Sequence, residues 1–442
     1  MKLLHGMLWA LIGLSQLTPS LLNAQPFTDD TSQILADYLT HQNKYGRFSG
    51  NILIAKGNDI VFEHSVGFAD VQSQRNISKN NLFKVGSITK QLTAVAILRL
   101  HEQQKLSIDE QISRYFPKLK NGNKITIAML LNHTSGLGRD TSWREENTSC
   151  HSTHLLKRIT TTSKTYPPVL MYNYSNAGYH LLGGIIEQVT GVSYNDYITQ
   201  ELLRPLGMKD SSMKLTLSFQ LAKSYELSGI VNAYITPAGC AWSAGELIST
   251  SRDLYIWSRA LTRGHIISPE LVQLMFDNQY GIFAREIGGV NYYEHNGAID
   301  GFKTVLVHEP KQGLTVVALS NFSNTNIDLL TFDLIRILDG KNPINKVIPQ
   351  KTNLAMWQND IDVIGNYRDK YGVPLQVRYT DGLLMAKVNQ FNIPLVIQNK
   401  NSLMAKGIDN RIRINRNDND TTREIIIFSR DGRYLSRFQR IE

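Results

Sequence analysis

Phe83-Lys84-Val85-Gly86-Ser87-Ile88-Thr89-Lys90 runs without a break into Gln91-Leu92-Thr93-Ala94, and this junction decides how the chain reads. From Gln91 to Gln104 there is no Gly or Pro, and Leu92, Val95, Ala96, Leu98 and Leu100 supply the apolar spacing of a packed helix. Ser87 and Lys90 are three positions apart, so at a helix start they share one face and the lysine amine reaches the serine hydroxyl. The helix N-terminus favours negative charge developing on the serine oxygen. A lysine held among apolar or cationic groups loses its proton readily and can then accept the serine's. The spacing alone is common. Ser211-Ser212-Met213-Lys214 repeats it and reads as surface sequence, lacking both the Phe83-x-x-Gly86 lead-in and the long helix.

Working outward, Ser49–Ala55 and Ile60–Glu63 read as a β-hairpin about the turn Lys56-Gly57-Asn58-Asp59. The middle of the chain is mixed helix and loop, with a helix over Ala177–Thr190. Phe302–His308 and Leu314–Asn321 are strands joined by Glu309–Gly313, and a helix over Leu329–Leu338 follows. Helices around an antiparallel sheet whose strands come from both ends of the domain make an α+β fold. Asp339–Thr352 carries Gly340, Pro343 and Pro349 and reads as a linker. Beyond it, Leu375–Tyr379 turns at Asp381-Gly382 into Leu383–Val388, and Arg423–Ser429 turns at Asp431-Gly432 into Arg433–Ile441. Two Asp-Gly hairpins predict a small all-β module, a barrel or sandwich. The expected organisation is a leader over 1–24, a hydrolase domain over 25–345 and the β-module over 350–442.

Two further groups of residues bear on chemistry. In Tyr174-Ser175-Asn176 an extended backbone points the phenol and the amide the same way. The tyrosine oxygen can shuttle a proton, and the amide of Asn176 can orient Lys90 and the substrate. In His295-Asn296-Gly297, Gly297 removes a side chain where substrate must approach the backbone, and the amides of Ser87 and Ala298 suit an oxyanion hole. Each triplet alone also fits packing or surface residues; the set is what carries weight.

The stretch Phe83–Ala94 resembles the active-site signature of serine β-lactamases related to the class C enzymes and of DD-peptidases. Ile125-Thr126-Ile127-Ala128-Met129-Leu130-Leu131-Asn132-His133-Thr134-Ser135-Gly136-Leu137, Ser243–Leu254 and Leu319-Ser320-Asn321 resemble other hallmarks of that superfamily, in its order. The resemblance implies an acyl-enzyme on Ser87, activation by Lys90, proton relay by Tyr174 and placement of the substrate amide by Asn176. His295-Asn296-Gly297 stands where β-lactamases carry Lys-Thr-Gly, and neither Lys-Thr-Gly nor Lys-Ser-Gly occurs in this chain. A His-x-Gly version is typical of the superfamily's DD-peptidases, D-aminopeptidases and esterases. A histidine there is expected to titrate near neutrality and to supply only part of the charge of a lysine. The last module resembles the small barrel domains appended to some of these enzymes.

Composition bounds the rest. With 442 residues, 42% apolar and 19% charged, the chain is a folded globular protein. Lys2, the apolar Leu3–Leu14 and the end at Leu22-Asn23-Ala24 read as a secretory signal, with an uncleaved anchor as the alternative. An exported, periplasmic or secreted protein is therefore expected. The net charge of +9 comes from scattered Lys and Arg, with no basic helix or aromatic-studded arm, which points away from nucleic acid and toward loose attraction to an anionic surface. The two cysteines, Cys150 and Cys240, form no metal-binding pattern and either pair or stay buried and free. No cofactor or metal is expected, and the partner is a peptide or small molecule, including cell-wall peptides or β-lactams. The rival readings are a weak β-lactamase and a penicillin-binding sensor or scaffold without turnover. A Ser-His-Asp hydrolase is disfavoured by the lack of a Gly-x-Ser-x-Gly elbow.

Overall fold

The computed structural model describes residues 28–139, 150–162, 168, 171–214, 219–226, 231–345, 362–388, 391–406, 410–417, 419, 421–428, 432 and 434–441. The leader expected at 1–24 lies outside the described residues, as does the second half of the linker, 346–352. No described helix is long and apolar enough to cross a membrane.

The described residues open with helix α1 (Asp29–Lys44), capped by the Thr28 hydroxyl, with Asp29 and Asp30 in its first turn and Lys44 in its last. Strands β1 (Gly50–Lys56) and β2 (Asp59–Val66) form the expected hairpin. After helices α2 (Thr89–Glu102), α3 (Asn176–Thr190) and α4 (Ser251–Thr262) come β3 (Phe283–Ile287), β4 (Val290–Ile299), β5 (Phe302–Glu309), β6 (Leu314–Ser320) and helix α5 (Ile327–Leu338). The six strands make one antiparallel sheet in the order β2-β1-β6-β5-β4-β3. The first strand thus closes onto the last, with Gly50 opposite Ser320.

Strand alternation splits the core into two layers. Leu53, Leu306, Val317 and Leu319 face the large helical layer of α2, α3 and α4. Ile52, Ile54, Val305, Val307, Val316 and Ala318 face α1 and α5, packing on Leu35, Leu39, Leu330 and Leu334. Tyr38 Oη donates to Asp333 at 2.9 Å and joins the two outer helices. Helix α3 begins one residue before the sequence reading because the Ser175 hydroxyl caps Gly178 N at 3.0 Å, and Gly191 ends it in the left-handed conformation.

The first part of the linker is tied down. Asp333 accepts from the amides of Ile344 and Asn345, and Asn345 O accepts from Gln42 and Arg47. Beyond residue 361, β7 (Gly365–Asp369), β8 (Pro374–Thr380), β9 (Leu383–Val388), β10 (Phe391–Asn399), β11 (Ser402–Ala405), β12 (Asn410–Arg416), β13 (Thr422–Phe428) and β14 (Tyr434–Ile441) close into an antiparallel barrel. Both sequence-read hairpins pair as expected; the Asp431 end of the second turn lies outside the described residues. The barrel fills with alternate residues such as Leu375, Val377, Ile412, Ile414, Ile425 and Ile427, and its core also takes in Tyr225 and Phe322. Phe322 meets Phe391 edge-on at 5.3 Å.

Candidate active site

Ser87 sits on a short helical turn that leads into α2, where it is half-buried and reachable. Three contacts hold that turn. Val85 N donates to Leu247 O, Thr89 Oγ1 donates to Gly86 O at 2.7 Å, and Leu247 N donates to Thr89 Oγ1. Gly86 is left-handed (φ +55), and a Cβ on it would stand 3.0 Å from the Ala298 amide nitrogen. A Cβ on Gly297 would collide with Val85 O and Thr304 Oγ1. The two glycines therefore let β4 press against the serine turn, which brings the amide of Ala298 beside Gly86, the residue before Ser87.

Lys90, the next turn along α2, is fully buried. Its Nζ lies 3.0 Å from Ser87 Oγ and 2.6 Å from Ala244 O. Burial, then the charge of Arg139, holds its pKa well below the ordinary lysine value, so the neutral amine is accessible. Asn176, expected to orient this lysine, does not bond it; the carbonyl of Ala244 does that work, and the half-buried Asn176 side chain has no hydrogen bond among the described residues. The Trp242–Gly245 turn that carries Ala244 is held by the Glu246 carboxylate, which accepts from the amides of Gly239 and Trp242. Cys240, just before it, is bonded to Cys150 with Cα atoms 4.7 Å apart, which resolves the open question of pairing.

Tyr174 Oη donates to Ser87 Oγ at 2.9 Å. Burial pushes its pKa up, so it stands protonated at neutral pH. His133 grips the segment around it. Its carbonyl accepts from Asn173 N at 2.9 Å, its Nδ1 accepts from Ser175 N at 3.1 Å, and its ring lies 4.4 Å from the Tyr174 ring. His133 takes a left-handed backbone (φ 62) to do so. It was legible only as part of a hallmark stretch, with no role of its own. Ala244, acting through a backbone carbonyl, left no side-chain signal at all.

His295 departs from expectation. It is 1% exposed, and burial next to Lys90 pushes its pKa down to about 3. Its Nδ1 lies 2.6 Å from Asn296 O, so the proton is on Nδ1 and Nε2 is a buried lone pair without a partner among the described residues. The partial charge expected of it near neutrality is absent, because desolvation outweighs everything that would hold a proton there. Asn296, on the opposite face of β4, donates to Asp328 at 3.2 Å.

The second Ser-x-x-Lys is no rival. Ser211 Oγ donates to Asp253 at 2.8 Å and meets Ser249 Oγ at 2.8 Å, and Lys214 is exposed and faces Asp196. Ser211 is a bonding partner of Asp253 rather than the idle surface residue expected.

A protein family described as Beta-lactamase matches residues 33–336. The chain is 31% identical over 307 residues to a putative penicillin-binding protein, PbpX, of Bacillus subtilis, covering 67% of this chain and 75% of that protein. Among solved structures, an octameric penicillin-binding protein homologue from Pyrococcus abyssi superposes with TM-score 0.64 at 21% identity, over 92% of this chain and 99% of that one. The D-amino acid amidase of Ochrobactrum anthropi in complex with L-phenylalanine amide gives TM-score 0.63 at 21% identity, over 72% and 99%.

Proposed function

The chain belongs to the beta-lactamase family, and from that premise we propose that it is an exported serine hydrolase that forms an acyl-enzyme on Ser87. One observation carries the reading: Ser87 Oγ stands between a buried lysine nitrogen at 3.0 Å and a buried tyrosine hydroxyl at 2.9 Å. Neutral Lys90 takes the serine proton as Oγ attacks the substrate carbonyl. The amides of Ser87 and Ala298 receive the developing oxyanion. Tyr174, polarised by neighbouring charge, delivers a proton to the leaving atom, and water then releases the acyl group by the reverse traffic. Asn176 holds the substrate amide, and His295 accepts a hydrogen bond at Nε2 instead of offering charge.

The substrate is a D-amino-acid peptide or an ester, in keeping with a D-amino acid amidase among the structural neighbours. The lack of a lysine at position 295 argues against efficient β-lactam hydrolysis. The leader at 1–24 and the Cys150–Cys240 disulfide support export to an oxidising compartment, periplasmic or extracellular. The deciding experiment is treatment of the mature protein with a fluorophosphonate, followed by peptide mapping. An adduct on Ser87, lost in Ser87→Ala, is expected; an unlabelled protein that nevertheless turns over D-peptides or esters would sink the reading.

A further inference from the structure

We infer that the outer wall of the barrel, over β12, β13 and β14, docks on a bilayer surface rich in anionic phospholipid. Along the sequence the basic residues are scattered. Strand alternation sends every second side chain outward, and lateral pairing gathers those side chains into rows. Arg413 lies opposite Ile426, which lies opposite Arg437; one step along, Arg411 lies opposite Phe428, which lies opposite Tyr434. The three arginines are exposed, while Ile412, Ile425 and Ile427 between them turn inward to the barrel core.

Nearby acids leave this charge in place. Glu424 is the only acid in the three strands, and it is buried. Its oxygens accept from Asn415 and Gln439 at 2.7 Å, with Arg437 at 3.5 Å. Asp369, in the turn after β7, is buried as well and accepts from the amides of Tyr371 and Val373. Arg411 and Arg413 thus have no carboxylate partner among the described residues.

Charge alone does not select a membrane; the aromatic residues beside it do. At one end of this wall Tyr371 is 77% exposed and Tyr434 is 55% exposed. Lys370 ties them together: its Nζ lies 4.8 Å from the centre of the Tyr371 ring, and it feels the field of Tyr434 as well. The half-buried Phe428 ring is 6.4 Å from that of Tyr434, and the Arg413 guanidinium lies 5.2 Å from its centre. A tyrosine ring with a wet hydroxyl settles at headgroup level, and an arginine fork grips the phosphate beside it. A linear polyanion is followed along a groove lined with cations. A convex wall that exposes its rings among the cations suits a lipid surface instead.

In the up-and-down order of strands, the turns at 369–374 and 428–434 share one end of the barrel with Phe391, whose ring meets Phe322. Docking through this patch therefore keeps the hydrolase domain beside the bilayer.

The test is co-sedimentation of the full-length mature protein with vesicles of phosphatidylcholine, alone or with about one third phosphatidylglycerol. Binding to the anionic vesicles is expected, falling as salt rises, with little binding to the neutral ones. Arg411→Gln with Arg413→Gln should weaken it by about 10- to 30-fold. Lys400→Gln with Arg423→Gln removes the same charge at the opposite end of the barrel and should change it by less than about twofold. Tyr371→Ser with Tyr434→Ser should weaken binding at every salt concentration. All six side-chain changes are at exposed positions, and circular dichroism checks that each variant is folded. No wild-type binding to anionic vesicles at low salt, or equal losses in the two charge pairs, overturns the inference. Binding unmoved by the tyrosine pair and competed away by soluble polyphosphate would make the patch a polymer site, and overturns it too.

Discussion

Lys90 Nζ lies 2.6 Å from the carbonyl oxygen of Ala244, closer than the 3.0 Å to Ser87 Oγ, and among the described residues it has no carboxylate partner. A lysine fixed by a neutral carbonyl, and not by a carboxylate, is oriented without being held charged. Its folded pKa is lowered, so protonation at lower pH removes the base. We expect kcat/KM to fall on the acid side as pH drops through the Lys90 titration. His295, with its pKa already near 3, should add no limb between pH 5 and 8. His295→Gln should leave the shape of that profile unchanged; a limb near pH 6.5 that vanishes in this variant would return a charged role to His295.

Ser87→Ala should abolish covalent labelling and turnover while thermal unfolding stays within a degree or two, since the half-exposed hydroxyl packs against little. Lys90→Ala should lower kcat/KM by about 10³ or more, close to the serine variant, because residues acting as one unit are not additive. Peptide mapping checks the site: an adduct on Ser211 would contradict the assignment.

His133 holds Tyr174 by a carbonyl, a ring nitrogen and a stacked face. His133→Phe keeps the ring and loses the acceptor for Ser175 N; His133→Asn keeps an acceptor and loses the ring. Both should reduce kcat by about 10- to 100-fold through misplacement of the phenol, with KM changed far less. Equal losses in kcat and rises in KM would mean that His133 shapes the binding cleft instead.

Buried imidazoles should make the fold acid-sensitive. His133, His295 and His308 have pKa values pushed down to about 2, 3 and 3, each first by desolvation, against an ordinary 6.5. Below pH 6.5 the unfolded chain binds protons that the folded chain refuses, so stability falls as pH drops from there toward 3. Melting temperature measured from pH 8 to pH 4 should be level above about 6.5 and decline steadily below it. A flat curve down to pH 4 would show that these rings charge in the native state.

The barrel carries none of the site residues, and a chain ending near Pro349 should still be labelled on Ser87. That chain uncovers Phe322 and Tyr225, which pack into the barrel core, so it should self-associate more readily than the full chain. Replacing Phe322 by Ser in the shortened chain should suppress the association. A shortened chain that is folded by circular dichroism but unlabelled would mean that the barrel completes the cleft.

What the amino-acid order determined by itself was whatever depends on side chains near one another along the chain. Ser87 and Lys90 share a helical face because three residues make nearly a turn. The unbroken apolar runs of β1, β5 and β6 and the two Asp-Gly turns announce sheet and barrel for the same local reason. The family hallmarks then identified the lineage. Tertiary structure alone decided the rest, because it depends on contacts between distant segments. Ala244 meets Lys90 across 154 residues, and Tyr174 meets Ser87 across 87. A carbonyl has no identity in the sequence, so nothing in the order of residues marked Ala244. The charge of His295 was misjudged from its residue type because protonation is set by burial, and its burial comes from the packing of β4 beside Phe283 and Tyr174.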